Sequence, residues 1–468
     1  MTSERNAHLP SGFLEVMRAS IDARWGEVLA DLHAHARIPS VSWPSFDQGM
    51  VAQSAELVAE RLGDLNFFTE VSIVREATDD GSLGQPAVIA HRPARHGAPT
   101  VLLYAHHDVQ PPGDGLAWLS DPFEPEIRGE RMFGRGVADD KAGIAMHVES
   151  LRALIAHEPD TDLGVVVFIE GEEEYGSPSF TNVLRQHRET LQADVIIVAD
   201  SGNWTTEIPA LTVSLRGNAT LKVTVRTLDH ALHSGMFGGA VPDAMLAMTR
   251  LLASLHTDAG DVAVEGLLER DGETPDYSLE RLRSEAGLLD GVTALGSDHL
   301  ARLWNKPAIT VIGMDMPSTS EASNTLVPEV TAMVSVRVAP GQDAREAAEV
   351  VIRHLERHTP FGAHVDIHTV GTGAAYAMRA ESPVADLMKK ALSEAYSADV
   401  VEMGVGGSIP FIAEFVEAFE SATVLVTGVE DPDSRAHSPN ESLHLPSFRN
   451  ALVAQAVFLA ELASFGER

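Results

Sequence analysis

Five short segments of the sequence concentrate residues able to bind a cation or move a proton. They are His106-His107-Asp108, the stretch Gly134-Arg135-Gly136-Val137-Ala138-Asp139-Asp140-Lys141, the triplet Glu172-Glu173-Glu174, Asp200, and His437. The chain has no cysteine, so any metal here is held by imidazole and carboxylate, donors that suit hard and borderline divalent ions. His106, Asp139, Glu174, Asp200 and His437 supply two imidazoles and three carboxylates. Two ions about 3.5–4 Å apart need a carboxylate between them. With Asp139 in that place, His106 and Asp200 complete one ion, and Glu174 and His437 the other. Each ion then has three protein ligands and an open position. Asp108, two residues beyond His106 on an extended segment, lies on the same side of the chain. It is placed to accept the proton of the second ring nitrogen of His106 and fix its tautomer.

Taken singly, each segment has an ordinary reading. His-x-Asp is common by chance. A Glu triplet is usually a solvated face, Asp139-Asp140-Lys141 reads as a helix N-cap, Asp200 as a cap on the turn at Ser201-Gly202, and His437 before Ser-Pro as a surface turn. The triplet fits a solvated face poorly, because it follows a wholly apolar run and precedes Tyr-Gly-Ser. Joint placement favours chemistry. His106 follows the strand-like run Thr100–Ala105, the triplet follows Gly164–Ile169, Asp200 follows Val195–Ala199, and His437 lies in the loop after Thr423–Val426. In an open parallel sheet, sites form at the carboxyl ends of strands. Glycines before a helix over 141–157 put Asp139 near that helix's N-terminus, where a carboxylate is favoured.

The elements that carry these residues follow from periodicity. Apolar spacing of three and four predicts helices over 12–36 and 50–63, and further helices are expected over 141–157, Ser177–Gln186 and 384–396, with a last one from Pro446. Val71–Val74 and Ala87–Ala90 read as strands. Continuous Val/Ile/Leu runs between helices predict a largely parallel sheet covered on both faces. From about residue 211 the pattern changes. Leu211–Thr227 alternates as one half-exposed antiparallel strand, followed by a helix at Asp243–Leu255, short helices within 257–307, strands at Ala308–Ile312 and Thr331–Val338, a helix at Ala344–Glu356 and a strand at His364–Val370. The expected architecture is α/β: a discontinuous catalytic domain (1–210 and 379–468) with a mostly parallel sheet, interrupted by an α+β domain over 211–378.

The 468 residues carry a net charge of −34, and 44% are hydrophobic. A disordered chain is excluded. The charge argues against nucleic acid and anionic membranes as partners, since both call for a basic face. The N-terminus lacks a basic start followed by an apolar core, so no signal peptide is expected. With cysteine absent, a cytoplasmic location is expected.

In this order, the motifs resemble those of the M20 family of metallopeptidases, the dipeptidases, carboxypeptidases and N-acyl amino acid deacylases with a co-catalytic dizinc centre. The resemblance rests on Ala-His-His-Asp-Val (105–109), Gly-Arg-Gly-Val-Ala-Asp-Asp-Lys (134–141), Glu-Glu-Tyr-Gly-Ser (173–177), Asp200, and His-Ser-Pro-Asn-Glu (437–441). It implies two Zn²⁺ per subunit, with Mn²⁺ or Co²⁺ fitting the same donors, and Glu173 as general base to a bridging water. Leu-His-Ser-Gly-Met-Phe-Gly-Gly (232–239) resembles the lid motif whose His reaches an active site, in dimeric members the neighbouring subunit's. It implies His233 as oxyanion donor, a ferredoxin-like lid over 211–378 and a homodimer formed through that lid. Ser-Asn-Thr-Leu-Val-Pro (323–328) and Val-Arg-Val (336–338) imply Asn324 and Arg337 as substrate contacts, Arg337 clamping a free carboxylate. Gly-Gly-Ser-Ile-Pro (406–410) resembles a loop of the dipeptidase branch and implies Gly407 and Ser408 near that carboxylate. The implied function is a dipeptidase acting on dipeptides or short peptides. A deacylase sharing the centre, and a non-catalytic peptide-binding homologue, are the alternatives. Three places depart from the pattern: Ala142 where Gly is usual, Gly404-Val405 where carnosinase-like members have Arg-Glu, and 370–376, which lacks their His-Gly-Gly. The departures leave the metal ligands untouched and concern the substrate side chain.

Overall fold

Strands that are apolar at all but their end residues build the central sheet. The computed structural model describes residues 13–465, except 79, 271, 273, 379–381, 408 and 409. The chain divides into two units. The first holds Met1–Thr212, Met378–Met403 and Glu414–Arg468, and the second Val213–Ala377 with Gly404–Ala413. Residues 404–413, expected with the catalytic domain, therefore group with the inserted one. The reason is local: Arg216 donates its backbone N–H to Val405 O at 3.2 Å and its Nε–H to Gly406 O at 3.1 Å.

In the first unit, Gly164–Glu170, Thr100–His106, Val195–Val198 and Thr423–Val426 lie side by side in that order and run parallel. All of 164–170 and 195–198 is buried, as expected where helices cover both faces. On one face, Val101, Leu103 and Ala105 share a core with Leu32, Leu151, Leu154, Leu452 and Phe458. On the other, Tyr104 meets Phe168, Phe180 and Phe415 edge-on, with ring centroids 5.6, 6.3 and 5.6 Å away. Antiparallel strands close the sheet: Ala87–Arg92 and Glu70–Val74 at one margin, and Thr212 opposite Val426 at the other. A separate small sheet of Glu126–Arg128, Arg131–Phe133 and Ser442–His444 has strands of three residues, too short to show a period.

In the second unit, the strands Ala308–Asp315, Glu329–Val338, Gly217–Arg226 and His364–Gly373 form an antiparallel sheet in that spatial order. Helices Ala244–Ala253 and Ala344–Arg357 bury Met248, Leu251, Val351 and Leu355 against Leu221, Val223, Val334 and Val336. The β-α-β-β-α-β order is the ferredoxin-like one. Along Glu329–Val338 burial alternates strictly, leaving one open sheet face.

Two expectations need correction. The alternating run 211–227 is two strands, Ala210–Leu215 and Gly217–Arg226. The break falls where the Arg216 amide turns to Val405 and where a Cβ on Gly217 would lie 2.9 Å from Ala375 N and Gly373 O. The helix expected at Ser177–Gln186 begins at Phe180, after a 3-10 turn at Glu173–Tyr175. Gly176 at φ +90° and Ser177 at φ +53° interrupt it. No helix among the described residues is long and apolar enough to cross a membrane.

His147 sits wholly buried in helix Lys141–His157, its Nε2–H donating to Tyr104 O at 2.9 Å and its Nδ1 accepting from Gln455 Nε2 at 3.0 Å. Burial lowers its pKa to about 4, against about 6.5 in an unfolded chain. The unfolded state thus binds the extra proton first, and stability present above pH 6.5 is lost as pH falls toward 4. The loss expected at pH 5 is about 2 kcal/mol. In urea titrations of chelator-stripped protein, His147→Gln should therefore lose about that much less stability between pH 7.5 and 5 than wild type. Equal pH slopes would contradict this.

Candidate metal centre

The parallel strands of the first unit deliver their polar ends together. His106 is the last residue of its strand and lies opposite Glu170, the last of the neighbouring one. Asp200 falls two residues past Val198, and Glu173 and Glu174 occupy the 3-10 turn that follows Glu170. Asp139 precedes helix Lys141–His157, and His437 comes from the long loop after Val426. These are the carboxyl ends of parallel strands, where open sheets place their sites.

Asp139 stands between the two imidazoles. Its Oδ1 is 3.1 Å from His106 Nε2 and its Oδ2 is 3.0 Å from His437 Nε2. Glu174 Oε2 is 3.3 Å from His437 Nε2, and Glu173 Oε2 is 4.0 Å from His106 Nε2. Ligand atoms of Asp139, Glu174 and His437 all lie within 4.8 Å of one another, as do those of His106, Glu173 and Asp200. All five expected ligands are thus in one place. The second compact group contains Glu173 where Asp139 was expected, while Asp139 reaches both imidazoles.

This donor set fits cations. Among the described residues, the buried Nε2 of His106 has no well-formed hydrogen bond, its near neighbour being the Asp139 carboxylate at 3.1 Å, although buried imidazole nitrogens are ordinarily satisfied. Burial, reinforced by Asp200, Asp108 and Asp139, pushes the Glu173 carboxyl well above its usual range. Burial and then Asp139 do the same to Glu174. Burial also raises Asp200 to about 6. For Asp139, burial acts upward, but the two imidazoles outweigh it and hold its pKa low. One buried and three half-buried carboxyl groups face two imidazoles, and the burial and crowding that raise the pKa of three of them are what divalent cations would relieve.

A second layer holds the ligands, and part of it was not visible in sequence. The Asp108 carboxylate accepts the amides of Glu173 and Glu174, each at 3.1 Å, and the Ser42 hydroxyl at 2.7 Å. His106 Nδ1 lies 3.1 Å from Asp108 backbone O and 3.4 Å from its carboxylate. The expected proton acceptor on His106 is therefore nearer through the main chain, and the carboxylate's clear task is to fix the Glu173-Glu174 turn. Gln110 donates to Glu174 from its backbone N–H (3.1 Å) and side chain (2.6 Å). Asp140 makes no side-chain cap on its helix; its Oδ2 accepts the His106 amide at 3.2 Å. Glu172, the first of the triplet, accepts the amides of Gln85 and Ser179 and braces the turn.

The remaining candidates belong to the second unit. His233 is exposed at the start of helix Ser234–Phe237. Its Nδ1 accepts the Gly235 amide at 3.0 Å, so a neutral ring carries its proton on Nε2. His233 pairs with Thr325, and Ser234 N–H donates to Asn324 O at 2.9 Å, which puts Asn324 beside His233. Arg337 lies near the far end of Glu329–Val338, opposite Asn218 and Ala308. Gly407 follows Gly406, whose carbonyl takes the Arg216 Nε–H two residues before Asn218. His233 and Asn324 are therefore at one end of the sheet, and Arg337 and Gly407 at the other. Ser408 lies outside the described residues.

Comparison with known proteins gives the family. The model of peptidase family M20/M25/M40 matches residues 102–462. The cysteinylglycine-S-conjugate dipeptidase of Corynebacterium striatum is 34% identical over 413 residues, covering 87% of this chain and 89% of that protein. The Beta-Ala-His dipeptidase of Homo sapiens is 26% identical over 479 residues, covering 97% and 94%. In fold, the chain resembles the solved di-peptidase Dug1p from Saccharomyces cerevisiae, with a TM-score of 0.80 at 24% identity and coverage of 96% and 98%. The matched span runs through every candidate ligand from His106 to His437, and the chain belongs to peptidase family M20/M25/M40, a hydrolytic enzyme of metallopeptidase descent.

Proposed function

We propose that this enzyme is a dipeptidase that hydrolyses the peptide bond of dipeptides or short peptides bearing a free C-terminal carboxylate. The observation that carries the reading is Asp139, whose two oxygens each face a different imidazole at 3.0–3.1 Å with Glu173 alongside. His106, Asp139 and Asp200 would hold one divalent cation, and Asp139, Glu174 and His437 a second, zinc being the first choice for such donors. Such a pair supplies Lewis acidity toward a carbonyl and lowers the pKa of a water. Glu173, its backbone amide anchored on Asp108, takes the proton of the attacking water on its carboxylate and returns it to the leaving amine. The His233 Nε2–H donates to the carbonyl oxygen as negative charge builds there. The Arg337 guanidinium pairs with the terminal carboxylate, which limits cleavage to the chain end. A cytoplasmic setting accords with a chain free of cysteine.

The positions of His233 and Arg337 support a homodimer. From Glu329 to Arg337 the strand spans about 26 Å, far longer than a dipeptide. If both residues act on one substrate, they come from two copies of the chain.

Three outcomes test this. Glu173→Gln should cut kcat at least about a hundredfold while elemental analysis still finds two ions per chain; near-normal turnover would remove the general base. The enzyme should cleave free dipeptides and leave their C-terminal amides and N-acetyl amino acids essentially intact, whereas preference for the acetylated compounds would make it a deacylase. His233→Ala and Arg337→Ala, each inactive alone, should recover about a quarter of wild-type activity when co-refolded. Half the dimers are then mixed, with one complete site in each. No recovery would place both residues on one chain's substrate or on none.

A further inference from the structure

Glu441 has no part in the reaction proposed above, yet its carboxylate is among the most fully engaged in the protein. It is 0% exposed and lies four residues past His437. Its Oε2 accepts Arg135 Nη1 at 2.6 Å and the Gly136 amide at 3.0 Å, and its Oε1 accepts the amides of Ala138 at 3.0 Å and Asp139 at 3.1 Å. Its backbone carbonyl takes the Gly134 amide at 3.0 Å. One residue thus grips the loop 134–139 from end to end, including the amide of the carboxylate that stands between both imidazoles. Saturated by a guanidinium and three amides, Glu441 offers no charge to a cation.

The segment leading into Glu441 turns through three left-handed residues. Arg435, His437 and Asn440 have φ of +55°, +63° and +63°, the left-handed region that is uncommon outside glycine, though Asn and His enter it more readily than Arg. Asn440 is tied to Leu119 N and Ala117 O, and Glu441 ties the same segment to the Asp139 loop. Glu441 thus joins the segment that carries His437 to the loop that carries Asp139.

We propose that Glu441 is a positioning residue that sets the affinity of the cation site formed by Asp139, Glu174 and His437. The inference rests on the two-cation reading above. The test titrates full-length, chelator-stripped protein with Co²⁺, following calorimetry and visible absorption together. Glu441→Gln keeps the size and an oxygen for the Ala138 and Asp139 amides, but sets an NH₂ against the Gly136 amide and Arg135. It should weaken one of the two binding steps about 10–100-fold and leave the other within about threefold. Glu441→Asp, which keeps the charge, carries the same test if Glu441→Gln fails to fold. His147→Gln, a buried polar change away from the loop, should leave both steps unchanged. The proposal is overturned if Glu441→Gln binds like wild type, if both steps weaken equally, or if His147→Gln shows the same pattern. Wild-type protein that takes up fewer than two ions would instead sink the two-cation reading, and this proposal with it.

Discussion

The structure of the site depends on one shared carboxylate. Asp139 is buried among other acids and would be costly there as a lone anion, but each of its oxygens faces an imidazole that is itself fixed on a different part of the chain. His106 is pinned at the end of a buried strand, with its amide on Asp140 and its Nδ1 on Asp108. His437 arrives more than two hundred residues later, on a loop whose backbone is left-handed at His437 itself. Joining such distant segments at one point is what the parallel sheet does. It presents strand ends at a common edge, so that short loops carry the chemistry while the strands remain pure core.

Around that point the protein uses carboxylates in two distinct ways. Asp108, Glu172 and Glu441 are saturated by amides, hydroxyls or a guanidinium, and they act as rigid braces. Asp139, Glu173, Glu174 and Asp200 face one another and the imidazoles, and burial raises the pKa of the last three. An acidic residue next to another acidic residue can thus have an opposite task, as Glu172 and Glu173 show. The second unit follows a different logic. Its antiparallel sheet puts His233 with Asn324 at one end and Arg337 with Gly407 at the other, which separates the groups expected to meet a substrate.

The strands that carry the site were legible because all-apolar runs such as 164–169 leave little alternative to a buried strand, and because three of them ran into His, Asp or Glu while the loop after the fourth supplied His437. Asp139 was legible from the glycines before it. Gln110 and Ser42 were not, since a neutral side chain in a loop gives no pattern until its partner is known. The bracing role of Glu441 was hidden for the same reason, though the residue stood in a recognised motif. The break at Arg216 escaped notice because alternation continues across it, and only the partner strand at Val405 decides that the ladder ends there. The same tertiary pairing drew residues 404–413 into the second unit. The three-residue strands at 126–133 and 442–444 carry too few positions for any periodicity.

The most direct measurement of the central claim is an anomalous diffraction map of crystals loaded with Zn²⁺ or Mn²⁺. Two peaks about 3.5–4 Å apart, one on each side of the Asp139 carboxylate, with His106 bound to one and His437 to the other, are what this account predicts. A single peak, or two peaks that do not share Asp139, would contradict it.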